Sequence, residues 1–348
     1  MAPLSGLPIL AMALSMAMHS PATARIETAQ NQNSDPQFDR IVTVPFEYFK
    51  QHIFVTLSVN GRDGMVFLFD TGSNTNILDM ATSEELGIHA ELEVKQKGVG
   101  YGSQKVTIAA ARDLDAQMDG VPIADSMTIV DLHNLELLNQ HHLDGILGMP
   151  LLRRFVVEID FANQLLTLKP AHGYRYRGSG EILGLSQKDD SLSIAVTLGT
   201  GVDEHRNATL DLDTGSDATL MLYSQFIYKS RITDVSRHGS LTPTQALACG
   251  IGGYFGVETV TVPFMTMGQT EMTLLPVFLM HSTPSFSGRR KTDGVIGTAV
   301  MALYQKVIFD QPKGRVIFER RDPVSSAAKA ANAKATNTDR ATPVAWKR

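Results

Sequence analysis

Cysteine is almost absent from this chain: Cys249 stands alone among 348 residues. No internal disulfide can form, and the fold must rest on packing. That scarcity fits a bacterial periplasm better than a disulfide-rich secretory product. Tryptophan is equally scarce, with Trp346 the single copy. An excess of basic charge is also missing, since the formal net charge is −5 and the isoelectric point about 6.1. Neither nucleic acid nor an anionic membrane is an expected partner for such a surface. Lysine and arginine do not occur before Arg25, and the apolar stretch from Leu7 to Met18 is too short to span a bilayer. The last residues, 323 to 348, carry almost no large apolar side chain before Trp346. They read as a disordered tail, with little to bury against the entropy of ordering.

What is present begins with that short apolar stretch. It is followed by Ser20, Pro21 and the small-x-small triplet Ala22-Thr23-Ala24. This is the pattern of a signal peptide over 1–24 with cleavage after Ala24, and it predicts a periplasmic or secreted protein with no stable membrane insertion after cleavage. Residues 25–40 are polar and read as a flexible leader. With 43% hydrophobic and 19% charged residues, the remainder can build two ordinary domains.

Those two domains are copies of each other. "FLFDTGSNTNIL" at 67 to 78 returns as "TLDLDTGSDATL" at 209 to 220. A given D-T-G-S is expected at about one position in 10⁵, so two copies are not chance. Upstream, "IFVTLSVNG" pairs with "IAVTLGTG", and downstream "KGVGYGSQKVTIA" pairs with "CGIGGYFGVETVTVP", each a glycine-rich tip leading into a β-branched strand. "DGILGMPLLRRF" at 144 to 155 matches "DGVIGTAVMALY" at 293 to 304, and each half closes on a hairpin pattern, "VEIDFANQLLTL" and "VIFDQPKGRVIFE". The same order of elements in both halves predicts a duplicated β-domain, with lobes at 41–173 and 182–322 and a linker at 174–181.

These residues resemble the bilobal aspartic proteases from about residue 41 to 320, through the doubled Asp-Thr-Gly-Ser turns and the doubled apolar-apolar-Gly turns Ile146-Leu147-Gly148 and Val295-Ile296-Gly297. The resemblance implies an all-β acid-protease fold of two β-barrel-like lobes, with Asp70 and Asp213 meeting between them. It further implies that Thr71 and Thr214 exchange hydrogen bonds across the lobes and that the glycine turns pack beneath the site loops. Gly72 and Gly215 would let backbone amides approach the carboxylates, and Ser73 and Ser216 would donate to the outer carboxylate oxygens.

Two carboxylates about 3 Å apart cannot both ionise, so they share a proton and can act as general base and general acid on water and a peptide carbonyl. No metal or cofactor is implied. Gly100, Tyr101 and Gly102 resemble a pepsin-like flap tip, which would be exposed in the empty site. The Asp70 to Tyr101 spacing is shorter than in pepsins, however, and the first lobe holds no tryptophan to brace the tyrosine. The shorter lobes look more like two fused retroviral-type domains, which makes 250 to 256 a candidate second flap with Tyr254 at its tip. A plain glycine-rich turn is the other reading of both stretches. Leu68 and Asp211, two residues before each aspartate, share its face of the strand. By the retroviral-type resemblance they help wall pockets for substrate side chains, although Asp211 could instead face solvent or pair with Arg206. Asn74 and Asp217, just after the two turns, are counted with the substrate-facing residues.

Other patterns lead nowhere. Asp211, Asp213, Gly215 and Asp217 only faintly suggest a calcium loop, with Leu222 where the bidentate glutamate should stand. His141 and His142 with Asp144 could be metal ligands, but adjacent histidines point apart and no further ligand is spaced to join them, so they read as an exposed loop. The expected function is an exported, monomeric aspartic endopeptidase acting on peptides or proteins. A silent peptide-binding module of the same fold is the alternative, and an envelope interaction domain the third.

Overall fold

The structure, a computed structural model, describes residues 9–11, 40–97, 101–102, 104–187, 191–201, 204–232, 244–281 and 292–321. The expected signal peptide other than Ile9–Ala11, the leader before Arg40, the tail and Gly100 lie outside the described residues. Ile9–Ala11 forms a short strand parallel to Leu247–Cys249.

The alternation of apolar and polar residues becomes three β-sheets. The first lobe forms a ten-stranded sheet. Its central hairpin joins His52–Val59 to Arg62–Phe69 through Asn60 and Gly61, both in the left-handed region at φ 50° and 79°. That is the two-residue turn that Asn-Gly favours, because its twist matches the strands it connects. Seven strands of the second lobe, with Ile9–Ala11 added at one edge, form an eight-stranded sheet around the equivalent pair Ser193–Gly201 and Glu204–Asp213. Both lobes contribute to the third, six-stranded sheet. There the closing hairpin of the first lobe meets that of the second, with Val157 opposite Phe309 and Ile159 opposite Val307.

In each lobe the strand that leads to the aspartate is paired in parallel with the strand of the glycine turn. Phe67, Leu68 and Phe69 lie beside Gly145, Ile146 and Leu147, and Leu210 to Asp213 lie beside Gly294 to Gly297. The period of two divides side chains between two layers. Phe67 and Phe69 enter the main core with Leu147, whereas Leu68 points to a separate cluster with Phe54, Ile77, Val106, Ile108, Val130 and Ile146. Leu210 and Leu212 likewise join the main core, which leaves Asp211 and Asp213 on the opposite face. The aspartates sit at strand ends because the pleat carries them out of the core and onto the face between the lobes.

Candidate active site

The two Asp-Thr-Gly-Ser turns meet across the lobe boundary through a closed set of hydrogen bonds. Thr71 Oγ1 donates to the Leu212 carbonyl at 2.6 Å and accepts from Thr214 N at 3.0 Å. Thr214 Oγ1 donates to the Phe69 carbonyl at 2.8 Å and accepts from Thr71 N at 3.0 Å. Each threonine thus satisfies two buried backbone groups of the opposite lobe, which fixes the turns relative to one another.

That clamp seats each carboxylate on the other lobe's glycine. A methyl group at Gly72 would lie 2.5 Å from Asp213 Oδ1, and one at Gly215 would lie 2.3 Å from Asp70 Cγ. Glycine is required here for space rather than for backbone angle. Within each turn the glycine amide donates to its own aspartate, Gly72 N to Asp70 Oδ1 at 2.7 Å and Gly215 N to Asp213 Oδ1 at 3.0 Å. Both aspartates are fully buried, so each carboxylate lies in a low-dielectric site against the other lobe's glycine.

The glycine turns lie below, as the resemblance implied. A methyl at Gly148 would strike the Ser73 carbonyl and one at Gly297 the Ser216 carbonyl, while Met149 N and Thr298 N donate to those same carbonyls at 2.7 and 2.8 Å. Asn76 Oδ1 accepts a further bond from Gly148 N at 2.9 Å. Ser73 differs from expectation. Ser73 gives its single hydroxyl proton to the Thr75 carbonyl at 2.7 Å, and Ser216 Oγ accepts from Ala218 N at 3.4 Å. They tie the loop's own backbone together, as serine does in turns.

The hairpin tips also differ from expectation. Tyr101 is 0% exposed, packed among Ala218, Met221, Tyr223 and Val295 of the second lobe. Its hydroxyl lies 2.8 Å from that of Tyr223, and its ring is 5.6 Å from Phe255. Ile251 makes the reciprocal move from the second hairpin into the first-lobe cluster around Leu68. The tips touch through Gly102 and Gly252, with Gly252 N donating to the Tyr101 carbonyl and Gln104 N to the Gly252 carbonyl at 2.8 and 2.9 Å. Gly102, at φ +111°, could not carry a side chain, since a methyl there would fall 2.0 Å from Gly252 O. Ile251 and Gly252 therefore form the second tip, while Tyr254 lies beyond it, 53% exposed. Asn74 and Asp217 are half-buried beside their turns.

Three features escaped sequence reasoning. His52 is buried, and its Nε2 lies 3.2 Å from the Gly215 carbonyl, so a first-lobe histidine holds the second-lobe turn. Burial pushes its pKa down to about 4. Asp144, considered above with the histidines, is buried and accepts from Val66 N at 2.7 Å, and Asp293 accepts from Thr209 N at 2.8 Å in the mirrored position. His142 is exposed beside Glu136, whereas His141 stacks on Phe54 with ring centres 4.0 Å apart, so that stretch is not wholly a solvent loop. The third feature is Tyr223, which nothing in "LMLY" marks as a partner for the first hairpin.

Comparison with known proteins agrees with this geometry. Residues 55–151 match a family described as aspartyl protease. That stretch is similar in sequence to an aspartyl protease domain, and the described strands build two β-lobes that meet at the paired turns. Among solved structures it is similar to the aspartic proteinase from Irpex lacteus, with 12% identity, a TM-score of 0.46, and 81% of this chain and 98% of that chain covered. No curated protein matches the sequence.

Proposed function

We propose that this chain is an exported aspartic endopeptidase in which Asp70 and Asp213 activate water against a peptide bond. The observation that carries this reading is the reciprocal seating of the carboxylates on Gly215 and Gly72. Two carboxylates so confined hold one proton between them. The ionised one takes a proton from water lying between them as that water attacks the scissile carbonyl. The protonated one donates to the carbonyl oxygen, and the resulting tetrahedral adduct collapses with proton transfer to the leaving amine. The closed hairpins support the reading, since they would exclude bulk water once a peptide is bound and must part to admit it.

The test is cleavage of an unfolded protein by wild type and by Asp70→Asn and Asp213→Asn, with circular dichroism on each. Pepstatin-sensitive cleavage that either substitution abolishes, with the fold retained, is the expected result. Pepstatin binding without turnover in wild type would favour the silent peptide-binding alternative. Export rests on the leader pattern, and N-terminal sequencing of protein recovered from the periplasm should begin at Arg25.

A further inference from the structure

The register of the first hairpin brings His52 to the level of the first aspartate. Phe54 lies opposite Leu68, so a step of two along each strand sets His52 opposite Asp70 and on the same face. In the second lobe Ser193 lies opposite Asp211, and the same step leads to Ser191 at the level of Asp213. Two copies of one fold thus carry an imidazole here in one lobe and a hydroxyl in the other, so the architecture itself does not require histidine. His52 is 0% exposed, and its Nε2 lies 3.2 Å from the Gly215 carbonyl of the opposite lobe. A carbonyl oxygen only accepts, so the proton of that bond sits on Nε2.

Gly215 is the residue of its turn with most freedom to move, because it has no side chain to pack. Its neighbours are held from other directions. Thr214 is caught in the threonine clamp, and its carbonyl accepts from Thr298 Oγ1 at 2.8 Å. The Ser216 carbonyl accepts from Thr298 N at 2.8 Å. The Gly215 carbonyl between them takes its bond from His52. Gly215 also borders both carboxylates, since its N–H donates to Asp213 Oδ1 at 3.0 Å and a methyl on its Cα would lie 2.3 Å from Asp70 Cγ. Displacing this one residue changes where the two carboxylates stand relative to each other.

We infer that His52 is a positioning residue for the aspartate pair, which through its bond to the Gly215 carbonyl fixes the placement of Asp213 against Asp70. The role rests on the endopeptidase reading above and adds a residue to that same site, acting through Gly215 rather than on the substrate. Burial disfavours the charged ring, so His52 serves as a neutral donor above about pH 4. A bond that only stabilised the fold would change the melting temperature and leave the turnover of folded molecules alone.

The experiment measures kcat, KM and the pH–rate profile on a peptide that wild type cleaves, using the full chain and its His52→Gln, His52→Leu and His52→Asn variants. Glutamine can present an amide N–H near the place of Nε2, leucine presents no donor, and asparagine ends one methylene short. In the leucine and asparagine variants kcat should fall about tenfold or more, with KM within about twofold of wild type. The limbs of their pH–rate profiles should move, because the apparent pKa values of a coupled pair depend on its spacing. His52→Gln should restore kcat to within about threefold of wild type. A kcat that His52→Leu leaves unchanged, limbs that do not move, or a loss that His52→Gln shares in full would overturn the inference and leave the endopeptidase reading intact. His52→Asn decides the matter should the leucine variant fail to fold. Cleavage of no peptide by wild type would overturn the endopeptidase reading and this inference with it.

Discussion

Tyr101 and Tyr223, separated by 122 residues, bring their hydroxyl groups to 2.8 Å inside the second lobe. One belongs to the tip of the first hairpin and the other to a strand beneath the second. Removing one hydroxyl leaves its partner buried without that bond, whereas removing both leaves neither stranded. Tyr101→Phe and Tyr223→Phe should each lower stability by about 1 kcal/mol, and the double variant should lose less than the sum. Urea unfolding of the four proteins in a double-mutant cycle gives the coupling. Strict additivity would show that the pair makes no contribution.

Truncating Tyr101 is a larger change. Because the ring is buried, Tyr101→Ala should reduce the melting temperature as well as activity, unlike a substitution at an exposed tip. Tyr254→Ala, at an exposed position, should leave stability within about 0.5 kcal/mol of wild type. Calorimetry on the two variants separates a tip that packs from one that does not.

Gly215→Ala should reduce cleavage by at least about a hundredfold. A methyl group 2.3 Å from Asp70 Cγ must displace that carboxylate or the turn beneath it, and a shift near 1 Å costs about 10² in rate. Gly72→Ala should act equally on Asp213. Comparing peptide turnover with near-ultraviolet circular dichroism tests this, and full activity in either variant would remove the reciprocal seating from the mechanism.

The threonine clamp predicts a stability effect at the lobe boundary. Thr71→Val keeps the shape but loses a donor to Leu212 O and an acceptor for Thr214 N. A loss of about 2–4 kcal/mol is expected from two stranded backbone groups. Thr214→Val should cost the same, and denaturant midpoints would measure both.

His52 sets a pH signature. Its pKa is about 4 in the folded chain and about 6.5 when unfolded, so between those values the unfolded state binds more protons. Stability from this group is complete above about pH 6.5 and is lost as pH falls toward 4, at up to about 1.4 kcal/mol per pH unit. His52→Gln should flatten that part of the profile relative to wild type. Parallel profiles would show that His52 titrates normally.

Much of the site was legible because its chemistry tolerates no other residue types. Asp70, Thr71 and Gly72, with their second copies, are fixed by the glycine amides that bond the carboxylates, reciprocal hydrogen bonding across the lobes and lack of space, and each constraint leaves a letter in the sequence. Ser73 misled because a hydroxyl in a turn can serve its own backbone as readily as a carboxylate. The position of Tyr101 was hidden for a different reason. Its burial depends on a hairpin and a strand of the other lobe, and no local pattern records so distant a partner. His52 was unreadable on the same ground, since its partner is a backbone carbonyl, a group every residue has.

The six-stranded sheet that both lobes share has a consequence for how this site can change. An assembly of two identical chains must place the same residue at both equivalent positions, so any substitution there appears twice. Here the closing hairpins of two different segments of one chain lie side by side, Val157 against Phe309. Each position, Leu68 or Asp211, can therefore mutate alone, and the pairing of the halves does not depend on concentration. Leucine on one side and aspartate on the other is a combination open only to a molecule whose halves have stopped being copies.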